Sequence, residues 1–389
     1  MSTRAMTVAG VMSGTSADGM DVALVRIVPR RRMPHLTMLA HEHFAYSAAL
    51  RRAVLAAMNA KAIATAELAQ LSWRLGIACA EAVEATVQKH AAKLDLIGCH
   101  GQTLYHQPSR AAYAGRSFAC TWQAGETAVL AAALKTPVVS NFRPADMSVG
   151  GQGAPLVPLL DYVLFAHAKR GRVLQNIGGI ANLTAIPGGA TQDAVVAFDT
   201  GPGNMVMDAL AEKLFHRSFD RNGALAARGN ALEPVLQRLM RHPYFKKVPP
   251  KTAGREQFGR EYAAKFLAAC RAASKRPEDA LATATALTAE TIARGYARFV
   301  RQTMGAGAVD FIVSGGGARN ATLMAMLAER LEPMGCRLAT SEDFGMPAEA
   351  KEAAAFALLA WQTWHGLPSN VPAATGAARP AILGQVTYV

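Results

Sequence analysis

No apolar segment of this 389-residue sequence reaches the roughly 18 uninterrupted residues that a membrane-spanning helix needs. At the amino terminus, glycine and serine interrupt the chain before an apolar run of signal-peptide length has formed. The 5 cysteines lie far apart without a CxxC pair, which argues against a zinc knuckle and against a dense disulfide framework. These absences predict a cytoplasmic protein that has no membrane partner.

Aromatic residues are also scarce, at 7% of the chain. Nucleic-acid binding usually interleaves aromatic and basic side chains along one face, so we expect no nucleic-acid partner. Acidic residues are few relative to basic ones, 28 against 41, which gives a formal charge of +13. This charge is consistent with attraction of anionic small ligands and equally with a solvated basic surface.

Several familiar catalytic motifs are missing. The sequence contains neither the GxxxxGK[ST] of a Walker-type ATPase nor the GxSxG of an α/β hydrolase. The DFG string at Asp343 has no HRD loop before it, so we treat it as coincidence. The pairs His41/His43 and His100/His106 have no third ligand nearby in sequence, and no protein metal site is predicted.

The chain's organisation suggests a duplication. Hydrophobic residues make up 51% of the sequence, enough for a large core. The stretches 8–28 and 172–186 each read as strand, glycine-rich loop and strand, and each is followed by further strands and helices. This pattern predicts two α/β domains with mixed sheets that face each other across an interdomain cleft. A single doubly wound domain is the competing interpretation, although the chain is long for it.

The turn of the first hairpin is a candidate phosphate loop. Its glycine amides and hydroxyls can point into one concavity, as a phosphate chain requires. Asp18 and Asp21 can hold water on a magnesium ion, which prefers oxygen ligands. An ordinary polar turn is the alternative. The loop consists of Gly14, Thr15, Ser16, Ala17, Asp18, Gly19, Met20 and Asp21.

A second loop follows a buried strand that ends in Asp199. It contains Gly201, Gly203 and Asn204 and leads into a helix, a position where α/β sheets place anionic ligands. Asp199 would there act as a general base toward the group that receives a phosphate. Alternatively, Asp199 simply turns the chain or caps the helix.

A third loop, Gly315-Gly316-Gly317, follows an apolar strand and would permit close approach of an adenosine moiety. Gly178 and Gly179 form the turn of the second hairpin and are counted with the nucleotide-binding glycines. The order of these loops is that of the superfamily of actin, sugar kinases and heat-shock chaperone ATPases. It predicts two ribonuclease H-like domains.

Longer strings make the comparison more specific. The sequence resembles the anhydro-N-acetylmuramic acid kinase family from about residue 8 to the carboxyl terminus. The strings that carry the resemblance are GVMSGTS (10–16), HGQT (100–103), GGQGAPLVP (150–158), NIGGIANL (176–183), DTGPGN (199–204) and the segment 252–258.

The resemblance implies an ATP- and Mg²⁺-dependent reaction on an amino sugar, 1,6-anhydro-N-acetylmuramic acid. Water would open the anhydro bridge and O6 would receive the γ-phosphate, a step of peptidoglycan recycling. By the same resemblance Asp199 activates the water, the first loop binds ATP, and His100 and Glu352 bind the sugar. Arg143 is either a contact for the lactyl carboxylate or part of a structural ion pair.

Two positions depart from the family pattern. Asn141 stands where many members have Asp, and Glu126 stands where Asp is usual. We predict domains at residues 1–137, with a tail at about 372–389, and at 138–371, and a homodimer is a possible assembly. The alternatives are another hexose or amino-sugar kinase of the same superfamily and a non-catalytic ATP-binding module.

Overall fold

The computed structural model describes residues 4–14, 16–31, 33–305 and 307–389. The chain divides into a first unit, Met1–Leu164 with Glu349–Val389, and a second unit, Phe165–Ala348. Each unit contains its own β-sheet and its own hydrophobic core. The predicted pair of α/β domains is therefore confirmed.

The strands are named in chain order. They are β1 (Met6–Ser13), β2 (Gly19–Val28), β3 (His35–Ala45), β4 (Leu96–Tyr113), β5 (Arg116–Ala124), β6 (Val138–Ser140), β7 (Arg172–Ile177), β8 (Ile180–Ile186), β9 (Val196–Pro202), β10 (Val309–Ser314), β11 (Cys336–Thr340) and β12 (Gln385–Thr387).

The helices are named in the same way. They are α1 (Ala48–Ala57), α2 (Thr65–Lys89), α3 (Thr127–Leu134), α4 (Arg143–Ser148), α5 (Pro158–Phe165), α6 (Asn204–Phe215), α7 (Glu233–Leu239), α8 (Pro243–Lys246), α9 (Arg255–Phe258), α10 (Arg260–Ala273), α11 (Pro277–Phe299), α12 (Ala321–Leu331), α13 (Lys351–Trp364) and α14 (Pro372–Thr375). Among the described residues, no helix combines the length and the apolar character that crossing a bilayer demands.

Both sheets share a five-stranded core topology, to which the first adds β5 and β12. The first has the order β12-β6-β4-β1-β2-β3, with β5 paired to β4, and the second has the order β11-β10-β7-β8-β9. In each, three strands that follow one another in sequence pair antiparallel (β1-β2-β3 and β7-β8-β9). On the free side of the first of these three, further strands pair in the parallel direction. This is the ribonuclease H-like arrangement that the loop order predicts.

The domain boundaries differ from those predicted from the sequence. Residues 138–164 and 349–371, which were assigned to the second domain, belong to the first unit. The reason is long-range pairing, because β6 lies parallel to β4 and α13 packs on β1 and β4. The stretch 141–158, which contains α4, also lies in the first unit.

Helix α13 lies directly against the first sheet at two glycines. A β-carbon on Gly10 would overlap the carbonyl of Ala353, and one on Gly98 would overlap the carbonyl of Phe356. These glycines let the helix backbone approach the strands more closely than any side chain would allow. The approach matters for the site because α13 carries Glu352 in its first turn.

Replacing Gly98 by Ala is expected to destabilise the first unit by about 3 kcal/mol, the upper range for an overpacked core. The new methyl group would meet helix backbone, which cannot rotate away. Denaturant unfolding followed by circular dichroism measures the effect. Gly307→Ala is the matched control, since nothing lies within 4 Å of a β-carbon there. Equal unfolding midpoints for the two variants would contradict this account of the packing.

Candidate active site

Of the first candidate loop, residues 14–18 connect β1 to β2, whereas residues 19–21 already belong to β2. Thr15 lies outside the described residues. A buried polar network fixes the start of the loop. Ser13 Oγ donates a hydrogen bond to Gln102 Oε1 at 2.7 Å and accepts one from the Tyr46 hydroxyl at 2.8 Å. Gln102 Nε2 donates to the Gly14 carbonyl at 3.2 Å. The glutamine of the HGQT string therefore positions the loop.

The side chains of the loop divide into two groups. Ala17 and Met20 are buried in the core of the first unit, so the predicted nucleotide-binding role of these two residues can use only their backbone. Ser16 Oγ donates to Asp18 Oδ1 at 2.7 Å, which fixes the position of that carboxylate within the loop.

Asp21, on β2, contacts both histidines of the HxH pair on β3. Its Oδ1 lies 2.9 Å from His41 Nε2 and 3.2 Å from His43 Nδ1. Sequence reasoning found no third group near these histidines, because the partner lies on the neighbouring strand, in register with His43. Among the described residues, no group of three or more metal-ligating side chains is placed to hold an ion by itself.

His100 is buried and both of its ring nitrogens are engaged. Nδ1 lies 2.8 Å from the Gly101 carbonyl, and Nε2 lies 3.1 and 2.9 Å from Nε and Nη2 of Arg143. Burial and the Arg143 charge lower the pKa of His100 to about 3, so the ring is neutral and accepts from the guanidinium. Here the structure differs from a direct sugar contact by His100: the imidazole holds Arg143 in place.

Arg143 is held by a third contact, from Nη1 to the Gly153 carbonyl at 2.6 Å. A guanidinium has five N–H donors, so two remain for a ligand. Burial lowers the pKa of Arg143 to about 10, against the opposing charges of Glu352 and Asp146. Glu352 is exposed in part, but the surrounding protein atoms desolvate its carboxyl group and so raise its pKa. The charges of Arg143 and Lys351 oppose this shift. Arg143 and Glu352 thus form one electrostatic cluster.

The GGQGAP string is fixed by a carboxylate that sequence reasoning missed. Asp146 is fully buried and accepts hydrogen bonds from Gly153 N at 2.8 Å, Asn370 Nδ2 at 2.8 Å and Thr375 Oγ1 at 2.7 Å. It therefore ties the loop beneath Arg143 to the carboxyl-terminal segment. No local pattern marks Asp146, because two of its partners lie more than 200 residues away.

The two positions that depart from the family pattern have structural contacts. Asn141 adopts a left-handed conformation, φ 58°, which asparagine tolerates well, and its amide donates to Gln385 Oε1 at 3.2 Å. Glu126 is the N-cap of α3 and accepts from Ala128 N at 3.1 Å.

In the second unit, Asp199 lies on β9. Residues of the segment before α9 hold it through hydrogen bonds. Its amide donates to the Lys251 carbonyl at 3.0 Å, its Oδ2 accepts from Ala253 N at 2.7 Å, and its carbonyl accepts from the Tyr244 hydroxyl at 2.7 Å. Its Oδ1 makes no hydrogen bond with a described residue. Lys251 and Tyr244 were not predicted as site residues, although the conspicuous string 252–258 begins directly after Lys251.

Burial raises the pKa of Asp199 to about 7, against the Ala253 N–H and the charge of Lys251, which lower it, while Glu256 adds to the rise. A carboxylate whose pKa is close to neutrality is well matched to general-base catalysis. Lys251 is itself buried, and its ammonium lies 4.8 Å from the ring of Tyr244. Asp199 is thus held rigidly by its backbone and Oδ2, with one oxygen available.

The predicted nucleotide-binding glycines of the second unit meet at one edge of its sheet. Gly203 N donates to the Gly179 carbonyl at 2.9 Å, and Asn204 N donates to the Gly178 carbonyl at 2.7 Å. A β-carbon on Gly203 would overlap the Gly178 carbonyl. The turn between β7 and β8 and the start of α6 are therefore in backbone contact.

The third loop joins this junction. Gly315 follows β10 with φ +81°, and a β-carbon on Gly317 would overlap the Ile177 side chain at the end of β7. Gly316 lies beside the Asn204 amide. Gly201 is the exception among the predicted glycines of the second unit: it lies within β9, and a β-carbon there would face Phe245 and Thr291.

A cavity of about 570 Å³ opens beside the glycine junction. Such a volume is typical of small-molecule sites. Burial raises the pKa of Asp208 in its wall to about 6. Its lining combines the junction with α6 and a connecting segment: Asn204, Met207, Asp208, Ser218, Phe219, Asp220, Arg221, Asn222, Gly316, Arg319 and Asn320.

Comparisons with known proteins cover nearly the whole chain. The family profile described as "Anhydro-N-acetylmuramic acid kinase" matches residues 6–389. Proteins of that name from Bacillus cereus (strain AH820) and Bacillus anthracis (strain CDC 684 / NRRL 3495) are each 42% identical over 386 residues, which is 98% of this chain and 99% of theirs.

Solved structures were compared as well. The activator of 2-hydroxyisocaproyl-CoA dehydratase from Clostridium difficile, with bound ADPNP, aligns at 10% identity and a TM-score of 0.45, covering 93% of this chain and 96% of its own. A ROK hexokinase from Thermus thermophilus aligns at 12% identity and a TM-score of 0.39, covering 92% and 99%.

Proposed function

Because the chain belongs to the anhydro-N-acetylmuramic acid kinase family, we propose that it opens 1,6-anhydro-N-acetylmuramic acid with water and phosphorylates O6, consuming ATP. The product is N-acetylmuramic acid 6-phosphate, an intermediate of cell-wall recycling in the cytoplasm. The family match over nearly the entire chain supports the activity. The environment of Asp199 supports the mechanism.

The observation that carries the mechanism is the free Oδ1 of a rigidly held carboxylate whose pKa lies at about 7. Asp199 takes a proton from the attacking water while the water oxygen bonds to C1 of the sugar. The C1–O6 bond breaks, and O6 attacks the γ-phosphorus, releasing ADP. The proton held by Asp199 then returns to solvent. One base can serve both events if the reacting groups are held in line.

Sugar binding is assigned to the Arg143–Glu352 cluster of the first unit. The two remaining N–H groups of Arg143 suit a carboxylate, and the lactyl group of the sugar supplies one. The Glu352 carboxylate can accept hydrogen bonds from ring hydroxyls. His100 acts through Arg143, since its own nitrogens are engaged.

Nucleotide binding is assigned to the remaining loops. Amides of the loop between β1 and β2 would hold phosphates, and the 570 Å³ cavity beside Gly316 would hold the adenosine. Asp18 and Asp21 provide carboxylate oxygens beside the phosphate loop, a donor set that fits Mg²⁺, which usually takes few protein ligands and keeps several waters. When bound, Mg²⁺ neutralises charge on the transferring phosphate.

The mechanism predicts a pH dependence. The base must be unprotonated, so activity should be highest above the Asp199 pKa of about 7 and fall as the pH drops through it. Two pH units below the pKa, kcat/KM for the sugar should be about 100-fold lower, because about 1% of a group is then ionised. The measurement is kcat/KM for the sugar against pH, which reports the pKa of the enzyme before the sugar binds. Equilibrium binding of an ATP analogue at each pH is the control, and a kcat/KM that stays constant down to pH 5 would exclude Asp199 as this base.

The decisive experiment for the reaction uses water enriched in heavy oxygen. Mass spectrometry should place one heavy oxygen at the anomeric position of the product and the phosphate on O6. ADP release in a coupled assay should depend on the anhydro sugar and not on glucose or N-acetylglucosamine. Release with an ordinary hexose would indicate another sugar kinase, and slow hydrolysis insensitive to all three sugars would indicate an ATP-binding module without this activity.

A further inference from the structure

A second cavity of the second unit, about 450 Å³ in volume, lies on the Thr200 side of β9. Its walls come from β9, the carboxyl-terminal half of α11 and the segment that includes α8. Four basic side chains, Lys246, Lys251, Arg294 and Arg298, line it, and no Asp or Glu is among its lining residues. The proposed reaction places neither sugar nor nucleotide in this cavity.

The positive charges around this cavity are incompletely neutralised. Arg294 pairs with Glu290 at 2.6 Å, outside the lining. For Lys246, Lys251 and Arg298, the described residues provide no carboxylate within ion-pair distance. A cavity that gathers cations without their counterions favours an anionic occupant.

Lys251 is the deepest of these cations. It is only 6% exposed, and its ammonium is surrounded by aromatic rings rather than by acceptors. Burial and the nearby Arg298 charge lower the pKa of Lys251 to about 8, although the Asp199 charge opposes the shift, so like charges face one another at some energetic cost. An anion between them would remove that repulsion. The rings lie at 4.8 Å (Tyr244), 5.4 Å (Phe299) and 5.6 Å (Phe198) from Nζ.

We propose that this cavity binds a small phosphate anion, either inorganic phosphate or the phosphoryl group of a sugar phosphate. Lysine and arginine together suit a phosphate, which offers several oxygens to separate donors. The cavity has room for more than a bare ion, and Phe245 and Phe299 give it an apolar wall.

The anion site is linked to Asp199 through Lys251. The backbone of Lys251 accepts from Asp199 N, and two residues later Ala253 N donates to Asp199 Oδ2. An anion on the Lys251 ammonium would order the segment that holds the carboxylate. The binding itself is inferred from the lining of the cavity and does not depend on the proposed reaction.

The test is calorimetric titration of inorganic phosphate into the full chain at constant ionic strength. A non-hydrolysable ATP analogue with Mg²⁺ is present at saturation, so that phosphate cannot report on the nucleotide loops. We expect saturable binding of one phosphate per chain. Lys246→Gln and Arg298→Gln should each weaken it at least about ten-fold, as expected for loss of a charged hydrogen bond. Lys275→Gln, an exposed basic position outside the cavity, is the matched control.

The outcomes separate the possibilities. Tighter binding of glucosamine 6-phosphate than of phosphate would identify a sugar-phosphate site, and equal or weaker binding would identify inorganic phosphate as the ligand. The proposal is overturned if wild-type protein shows no saturable binding. It is also overturned if both lining variants retain wild-type affinity, or if acetate binds as tightly as phosphate. In phosphate-free buffer the kcat/KM of Arg298→Gln should stay within about two-fold of wild type, which distinguishes loss of the site from misfolding.

Discussion

Replacing Asp199 by Asn is expected to lower kcat by about 10³-fold, within the range that general-base catalysis contributes. The amide cannot take a proton from water. Its Oδ1 can still accept from Ala253 N, so the backbone contacts that hold the residue should survive. Steady-state kinetics with the anhydro sugar measures the loss, and equilibrium binding of an ATP analogue should remain near the wild-type value.

Asp193→Asn is the control for this change, because Asp193 is an exposed residue of the same unit, shortly before β9. It should leave kcat unchanged. If Asp199→Asn kept the wild-type rate, the base would have to be another group. If it lost both turnover and ATP-analogue binding, the defect would be structural and the heavy-oxygen experiment would be needed to judge the mechanism.

Arg143→Lys should lower kcat/KM for the anhydro sugar by about 100-fold, as removal of one partner of a buried charged pair does. Lysine keeps the charge but loses the fork that reaches His100, Gly153 and the substrate together. The informative comparison is with 1,6-anhydro-N-acetylglucosamine, which lacks the lactyl carboxylate. For that sugar, the kcat/KM values of wild type and variant should agree within about three-fold, since neither protein can make the carboxylate contact.

Arg51→Lys, at an exposed position on α1, is the matched control and should change neither value. Thermal unfolding checks that the Arg143 variant remains folded. A loss of equal size with both sugars would show that Arg143 supports the site structurally and does not bind the carboxylate. That result would favour the ion-pair interpretation of this residue.

Local patterns were sufficient to predict the elements that carry the glycines proposed to bind the nucleotide. The strand, glycine loop and helix around Gly203 produce both a periodicity and a composition signal, and the structure has β9 and α6 there. Gly201 shows the limit of composition, because glycine in a loop and glycine in a strand look alike in sequence. Pairing with β8, and not the neighbouring residues in the chain, places Gly201 within a strand.

The features that were missed or predicted wrongly depend on contacts between residues far apart in the sequence. No local signal marks the length of β4, which continues past His100 to Tyr113 because β5 pairs along it. The domain boundaries were misplaced because β6 and α13 join a sheet begun more than 100 residues earlier. Asp146 and Lys251 were missed for the same reason: each obtains its importance from a contact that no local pattern records.

The return of the chain to its first unit has a consequence for synthesis. The second unit is one continuous segment, whereas the first needs α13 and β12, which the ribosome produces after the second unit. The amino-terminal sheet must therefore wait, with the surface around Gly10 and Gly98 uncovered, while the middle of the protein is already able to fold. Premature termination near residue 348 would release a chain with one finished unit and one exposed sheet, a natural substrate for chaperones and proteases.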